Sequence, residues 1–260
     1  MPQDNEVAIE FCNVAYSRNG RSLVSDLNFA IYRGEVLVLL GRSGSGKTTT
    51  MKLINRLLVP TQGEIIFEGI STAKWDEIKL RRKIGYAIQE TGLFPHFTIE
   101  RNVGLVPALE GWKPKQIKTR VYELLRLVGL EPEQFAPRYP HELSGGQRQR
   151  VGVARALAAD PPVLLMDESF GALDPVTRLE IQQQFRQLQQ QLGKTVVFVT
   201  HDIQEAFILA SRIGLMHAGR LVVLATPDNF LKSPQPEARA FMRSLPSFVQ
   251  YDVADDRNGQ

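Results

Sequence analysis

Alternating and continuous apolar runs predict β-strands in the first 40 residues of the chain. Apolar side chains recur at every second position from Val7 to Phe11, and the run Val36–Leu40 is apolar throughout. A glycine-rich turn follows this run. The next apolar side chains recur with helical spacing, at Met51, Ile54, Leu57 and Leu58. We therefore expect strands, a turn and then a helix that Pro60 ends.

Helical periodicity dominates the middle of the chain, from about residue 93 to residue 160. One face of a predicted helix there carries Val121, Leu124, Leu125 and Val128. Two short apolar runs follow, Val163–Met166 and Val196–Val199, and both are typical of buried parallel strands. The sequence thus predicts an α/β domain over residues 7–243, with a helical subdomain inserted at about 93–160 and a short tail at 244–260.

An amphipathic helix is predicted between these two apolar runs. Its apolar face consists of Ile181, Phe185, Leu188 and Leu192. The glutamines at 182–184, 187 and 189–191 are interpreted as the solvated face of the same helix.

The composition is that of a soluble globular protein, with 43% hydrophobic and 23% charged residues among 260. The longest apolar runs are far shorter than the roughly 18 residues of a membrane span, so we expect none. The first six residues lack the basic start and apolar stretch of a secretory signal, and the lone Cys12 cannot form an internal disulfide. Both features favour a reducing cytoplasm.

The charge distribution gives no support to nucleic-acid binding. The net charge is +3, from 31 basic and 28 acidic residues, and the basic residues are scattered along the chain. The densest basic cluster, Arg81–Lys83, is interpreted as a solvated helix end, with a binding patch as the alternative.

A glycine-rich segment between the run at 36–40 and the following helix has the spacing of a phosphate-binding loop. It reads Gly41-Arg42-Ser43-Gly44-Ser45-Gly46-Lys47-Thr48, and Thr49 follows it. Glycines let backbone N–H groups close around phosphate oxygens, and the helix N-terminus adds positive charge. We expect Lys47 to reach the β- and γ-phosphates of a nucleotide and Thr48 to bind Mg²⁺. A glycine-rich turn without a ligand is the alternative, and a second motif argues against it.

That second motif is a pair of carboxylates at the end of the run Val163–Met166. Asp167 is placed to hold Mg²⁺ through water, and Glu168 is the candidate general base for an attacking water. Without the glycine-rich segment, a solvated acidic pair at a strand end would be the better interpretation.

The segment Leu143-Ser144-Gly145-Gly146-Gln147 precedes a predicted helix. Ser144 can cap that helix, which leaves glycine N–H groups and the helix N-terminus free for an anion. With this pentapeptide the chain resembles the ATPases of ABC transporters, over roughly residues 7–243.

This resemblance implies a P-loop NTPase (RecA-like) core with a parallel sheet, an antiparallel β-subdomain near the N-terminus and the inserted helical subdomain. It also implies ATP and Mg²⁺ as cofactors. The family works as a head-to-tail dimer, and a homodimer is expected here. In such a dimer the partner's ATP is contacted by Ser144, Gly145, Gly146 and Gln147.

Further positions resemble known sites of the family. Gln89 resembles the glutamine that contacts Mg²⁺ or the nucleophilic water, and Gly171–Asp174 resembles a loop at the dimer seam. His201 resembles the switch histidine that holds the γ-phosphate and orients Glu168. Tyr16 lies where the family has an aromatic residue stacked on adenine, with a half-buried strand-end tyrosine as the alternative.

Several segments resemble one branch of the family, the ATPases of importers for glycine betaine, choline and related osmoprotectants. They lie near Gln89 and Leu143, at 84–89, 92–100, 105–107, 138–142 and 173–178. In the family this region docks a membrane permease. The resemblance therefore implies transmembrane permease subunits and, indirectly, a substrate-binding protein as partners, with the chain at the cytoplasmic face of the inner membrane.

Two departures from this pattern stand out. Ser169 occupies a position where the family usually has proline, and we expect activity to survive the change. Many subunits of the osmoprotectant branch carry a C-terminal pair of CBS domains, which we do not expect in 260 residues.

Other classes of protein share parts of the pattern. A small-molecule kinase would have the phosphate-binding loop but would lack the segment at 143–147. A soluble ABC ATPase of translation or DNA repair would be expected to carry two cassettes or a long coiled-coil insertion. Transport of another solute, such as an amino acid or an anion, also stays open, because the ATPase does not touch the solute.

Overall fold

The computed structural model describes residues 6–88, 92–170 and 175–243, and these contain a four-stranded and a six-stranded sheet. The strands of the smaller sheet are β1 (Val7–Arg18), β2 (Arg21–Tyr32), β4 (Gln62–Phe67) and β5 (Ile70–Ser71). They are antiparallel, in the order β2-β1-β4-β5. This sheet is the antiparallel subdomain that the family resemblance implies.

The predicted alternation in β1 begins two residues later than expected. A register shift against β2 separates Val7 from Ile9, so Val7 is 37% exposed whereas Ala8 is buried. From Ile9 onward the apolar side chains face inward, and Phe11 stacks on Phe29 of β2 with ring centroids 4.4 Å apart.

The strands of the larger sheet are β3 (Val36–Leu40), β6 (Ile84–Ala87), β7 (Val163–Asp167), β8 (Thr195–Thr200), β9 (Arg212–His217) and β10 (Arg220–Ala225). Their order is β10-β9-β3-β8-β7-β6. Among these described strands, β10 pairs antiparallel with β9 and the other neighbours are parallel. The buried parallel strands predicted at 163–166 and 196–199 are confirmed. The carboxyl ends of β3, β7 and β8 lie at one edge of the sheet, where ligands bind in such folds.

Successive residues of β3 pack into two different hydrophobic cores, because side chains alternate across a sheet. Val38 and Leu40 belong to the core shared with the helices, which includes Leu124. Leu37 and Leu39 belong to the core shared with the antiparallel sheet. An all-apolar sequence is what a strand covered on both faces requires.

The α-helices of the described residues fall into three groups. Helices α1 (Lys47–Ile54) and α2 (Glu77–Arg82) lie before β6 in the chain. Between β6 and β7 are α3 (Ile99–Val103), α4 (Leu105–Leu109), α5 (Pro114–Leu127), α6 (Pro132–Phe135) and α7 (Gly145–Leu157). The later helices are α8 (Pro175–Leu192), α9 (Ile203–Leu209), α10 (Pro227–Leu231) and α11 (Pro236–Met242). The predicted apolar face of α5 is buried.

Helix α1 ends at Ile54, earlier than the apolar spacing predicts. Arg56 adopts a left-handed conformation (φ 54°), its N–H donates to the Leu53 carbonyl, and the N–H of Leu57 donates to the Lys52 carbonyl. This is a Schellman helix end, and it turns the chain before Pro60. Leu57 is consequently 47% exposed instead of continuing the buried face.

The interpretation of the α8 glutamines as one solvated face is wrong for two of them. Gln182 and Gln189 are 2% and 7% exposed. Gln189 donates to the carbonyls of Gly34 and Lys194, and Gln182 donates to the Glu205 carboxylate. Tertiary contacts thus cover positions that polarity alone assigns to solvent.

Candidate nucleotide-binding site

The glycine-rich segment connects β3 to α1 and bounds a cavity of about 350 Å³. The residues lining the cavity are Leu23, Ser43, Gly44, Ser45, Gly46, Lys47, Thr48, Thr49 and Glu168. Gly46 has φ 105°, a conformation that favours glycine, immediately before the first residue of α1. At Gly41 an added Cβ would lie 2.4 Å from the Met216 carbonyl oxygen, so glycine permits close packing of the loop against β9.

Lys47 is buried at the bottom of this loop, with 5% exposure. Its ammonium group donates to the carbonyl oxygens of Gly41 (2.7 Å) and Arg42 (3.0 Å). Burial lowers the pKa of Lys47, and the nearby Glu168 and Asp167 carboxylates oppose that shift. The arrangement places a cation where backbone N–H groups and the start of α1 already favour an anion.

Thr48 and Asp167 bring two oxygen ligands together. The Thr48 hydroxyl lies 3.2 Å from Asp167 Oδ1 and donates a hydrogen bond to it. Burial raises the pKa of Asp167, and the hydrogen bond from Thr48 opposes that shift. A hydroxyl and a carboxylate are hard oxygen ligands, and Mg²⁺ in nucleotide sites uses one or two protein oxygens together with phosphates and water. The donor set therefore fits Mg²⁺.

Glu168 leaves the sheet directly after β7 with φ 44°, a left-handed conformation that is uncommon for glutamate. Its N–H donates to the Val199 carbonyl, which fixes the bend against β8. The carboxylate lines the cavity, and its Oε1 lies 3.2 Å from Nδ1 of His201. The structure thus brings together two residues that the sequence places 33 positions apart.

The segment at 143–147 forms the capped start of α7, as predicted. The Ser144 hydroxyl accepts from the Gln147 N–H (3.2 Å), and the Gln147 side chain accepts from the Ser144 N–H (2.9 Å). An added Cβ at Gly145 would meet its nearest atom, of Arg148, at 4.0 Å. Packing against the described part of the chain therefore does not require glycine at 145.

Some predicted site residues are not brought to the cavity. Tyr16 pairs with Val24 in the antiparallel sheet and is absent from the cavity lining, and Gly41 and Arg42 lie beside the lining residues. Gln89 and the segment 171–174 lie outside the described residues.

Sequence reasoning also missed residues near the site. Leu23 lines the cavity from β2, which no motif signals. The sequence marks Ser169 as a departure from the family pattern but does not predict its contact: its buried hydroxyl donates to the Ala87 carbonyl (3.4 Å) at the end of β6. Glu205 is buried beside the turn that carries His201, in hydrogen bonds with Thr200 and Gln182.

Comparisons with known proteins agree with this geometry. A model of the ABC transporter family matches residues 24–171. The choline transport ATP-binding protein OpuBA of Bacillus subtilis is 54% identical over 220 residues, which are 85% of this chain and 58% of that protein. The glycine betaine uptake system ATP-binding protein YehX of Escherichia coli is 50% identical over 237 residues, which are 91% of this chain and 76% of that protein.

Solved structures give the same fold. A dimeric ATP-binding cassette in a post-hydrolysis state, bound to ADP and Pi, superposes with a TM-score of 0.76 and 36% identity. The match covers 84% of this chain and 98% of that one. The chain spans 58% of the length of the first curated relatives it matches. The sequence match, the fold and the phosphate-binding loop beside Asp167 and Glu168 lead to one assignment: the chain belongs to the ABC transporter family.

Proposed function

We propose that the chain binds and hydrolyses ATP and powers uptake of a small solute through an ABC importer. The observation that carries this proposal is the cavity that Lys47, Thr48 and Glu168 line at one edge of the sheet, with Asp167 hydrogen-bonded to Thr48. Family membership supports the same function.

Binding begins with the phosphate groups in the glycine-rich loop. Backbone N–H groups and the N-terminus of α1 stabilise the negative charge of the phosphates. The Lys47 ammonium, which donates to two backbone carbonyls, would donate to phosphate oxygens instead. Thr48 and Asp167 would hold Mg²⁺, with Gln89 as a further proposed ligand. When bound, Mg²⁺ neutralises charge on the β- and γ-phosphates.

Hydrolysis needs a base next to the γ-phosphate, and we assign that role to Glu168, whose carboxylate lines the cavity. Its carboxylate accepts a proton from water, the water oxygen bonds to the γ-phosphorus, and the bond to the bridging oxygen of ADP breaks. His201 orients the base, since its Nδ1 lies 3.2 Å from Glu168 Oε1. The products are ADP and inorganic phosphate.

We propose that the active unit is a homodimer with two composite ATP sites. The space around Gly145 supports this, because it leaves the start of α7 open to an anion from another subunit. Gly145→Asp would place a carboxylate against the partner's γ-phosphate, and we expect it to abolish hydrolysis.

Mixed dimers test the composite sites. When Gly145→Asp pairs with Lys47→Ala, one site carries both changes and the other carries neither. We expect such dimers to hydrolyse ATP faster than either variant homodimer. Equal activity of the mixed and homodimeric variants would argue against composite sites.

A groove of about 490 Å³ between α2, β6, α4 and α7 is the proposed docking site for the permease. Ile78, Phe94 and Leu109 are exposed there and provide an apolar lining, with Arg81 and Arg155 beside them. An exposed apolar lining of this kind is typical of an interface. None of the described helices has both the length and the apolar character of a membrane span. On the family resemblance, the chain is proposed to lie at the cytoplasmic face of the membrane, held by its permease.

The proposed solute is a quaternary-amine osmoprotectant such as glycine betaine or choline. The names of OpuBA and YehX support it, since they refer to choline transport and glycine betaine uptake. The solute would be selected by a permease or binding protein, whose aromatic side chains can hold a trimethylammonium group through cation–π attraction.

The test has two arms. Permease in membrane vesicles should raise the ATPase rate of the purified chain, which a soluble ABC ATPase or a kinase would not show. Labelled glycine betaine should then be taken up in an ATP-dependent manner. Unlabelled choline should inhibit this uptake, whereas methionine, phosphate or a polyamine should not. Uptake of another solute alone would overturn the osmoprotectant assignment and leave the importer assignment in place.

A further inference from the structure

A buried carboxylate lies behind the turn that carries His201. Glu205, on α9, is 4% exposed, although glutamate is rarely buried without partners. Its Oε1 accepts from the Gln182 side-chain amide (3.0 Å), and its Oε2 accepts from the Thr200 hydroxyl (2.5 Å). The proposed hydrolysis step does not use this group.

Thr200 connects Glu205 to the backbone on both sides of His201. It is the last residue of β8, it is 1% exposed, and its hydroxyl oxygen also accepts from the Asp202 N–H (3.0 Å). The His201 side chain itself is 64% exposed. Few neighbouring atoms can hold an exposed imidazole in place by packing. Its position next to Glu168 therefore depends on the backbone of the turn, which Thr200 holds.

Helix α8 supplies the other side of this network. Gln182 and Arg178 lie one turn apart on α8, and Arg178 Nη1 is 3.7 Å from Asp202 Oδ2. Among the described residues, the charged and titratable groups near Glu205 are Arg178 from α8, and His201 and Asp202 from the turn. Burial raises the pKa of Glu205, and the hydrogen bond from Thr200 opposes the shift.

We propose that Glu205 is a positioning residue, which acts through Thr200 to hold the His201 backbone where the imidazole can orient Glu168. The inference rests on the proposed ATPase function. A displacement of about 1 Å in a catalytic group can cost about 100-fold in rate. Loss of Glu205 should thus lower turnover without weakening ATP binding.

The experiment measures kcat and KM of Glu205→Ala and Glu205→Gln at saturating Mg²⁺. We expect kcat to fall by about 10- to 100-fold in Glu205→Ala, less in Glu205→Gln, which keeps one oxygen acceptor, and KM to stay within about threefold. Thr200→Val, which removes the connecting hydroxyl from a β-branched side chain of similar shape, should reproduce the loss of kcat if Glu205→Ala does not fold.

Glu35→Gln is the matched control. Glu35 is also buried, at 8% exposure, but pairs with Arg212 far from the cavity. We expect this variant to lose thermal stability and to keep the kcat of the wild type. Equal losses of kcat in Glu35→Gln and Glu205→Gln would reduce the role of Glu205 to stability and overturn the proposal.

A double variant separates positioning from independent effects. If Glu205 acts through His201, then Glu205→Ala adds nothing to the loss caused by His201→Ala. Losses that multiply in the double variant overturn the inference even when the wild type hydrolyses ATP. A wild-type chain that binds ATP without hydrolysing it, alone or with permease, overturns the proposed function instead.

Discussion

Two buried carboxylates at opposite ends of the six-stranded sheet have very different surroundings. Glu35, just before β3, is 8% exposed and Asp167, at the end of β7, is 7% exposed. Glu35 accepts from Arg212 Nε (2.5 Å) and Nη2 (2.9 Å) and from the Tyr32 N–H (2.8 Å). Asp167 accepts from a neutral hydroxyl, while the ammonium of the nearby Lys47 donates to loop carbonyls.

The difference separates a stabilising charge from a functional one. At the amino end of the strands, a guanidinium compensates the buried Glu35 charge within the fold. At the carboxyl end, burial raises the pKa of Asp167 because its neighbours compensate its charge incompletely. An incompletely compensated carboxylate suits a site that receives a cation together with phosphate. Substitutions at the amino end should therefore lower the free energy of unfolding, whereas substitutions at the carboxyl end should lower the ATPase rate.

Glu168→Gln should give the largest effect at the carboxyl end. We expect turnover to fall by about 10²- to 10⁴-fold, since the amide cannot accept the proton, while ATP binding persists. The measurements are steady-state ATPase rate, nucleotide binding, and size exclusion, where an ATP-bound dimer should accumulate. Turnover near that of the wild type would remove Glu168 from the role of base.

Glu35→Ala should act at the amino end, on stability alone. Breaking a buried ion pair typically costs about 3–5 kcal/mol, and here the partly buried Arg212 would lose its carboxylate partner. Urea unfolding measures the loss, and the folded fraction at low temperature should retain the wild-type kcat. A large fall in kcat with unchanged stability would contradict the division between the two ends.

Asp167→Asn should raise the free energy of unfolding of the nucleotide-free and Mg²⁺-free chain by about 0.5–2 kcal/mol at neutral pH. The variant should lose activity. The raised pKa of Asp167 means that the native state loses stability as pH rises from the usual carboxyl pKa through the raised value. The gain of the variant should therefore be small near pH 4 and reach its full size above the raised pKa. Unfolding measured across this pH range checks the sign, and a constant difference would contradict it.

Ser169→Ala should give the smallest effect. The hydroxyl donates a long hydrogen bond, 3.4 Å, to the Ala87 carbonyl. Its loss should cost about 1 kcal/mol or less and leave kcat within about twofold. Thermal unfolding and ATPase assays decide this, and a tenfold fall in kcat would assign Ser169 a direct part in the site.

The spacing of residues along the sequence was sufficient to predict the motifs. The glycine-rich loop, the carboxylates at the end of β7 and the Ser144 cap each depend on residues close together in sequence, because neighbouring residues set their backbone geometry. Strands β3, β7 and β8 were likewise predictable, because burial on both faces requires a continuous apolar run. The roles of Gln89 and of 171–174 stay predictions, since these residues lie outside the described ranges.

Glu205 marks the limit of such reasoning. The spacing from Asp202 to Glu205 fits a capping box, which would turn the Glu205 carboxylate back to the Asp202 N–H at the helix start. In the structure the Thr200 hydroxyl accepts from that N–H, and Glu205 points inward to Gln182. A local rule cannot anticipate this, because the acceptor of the Asp202 N–H and the partner of Glu205 come from different elements.

The sequence by itself determined the fold class, the family and the chemistry of the phosphate-binding loop, because each depends on short-range patterns of residue type. Tertiary structure alone decided that Gln182 is buried, and that Glu35 accepts from a guanidinium whereas Asp167 accepts from a neutral hydroxyl. Those outcomes depend on which strand ends and helix faces come together. Burial makes electrostatic interactions strong there, and it raises the pKa of Asp167.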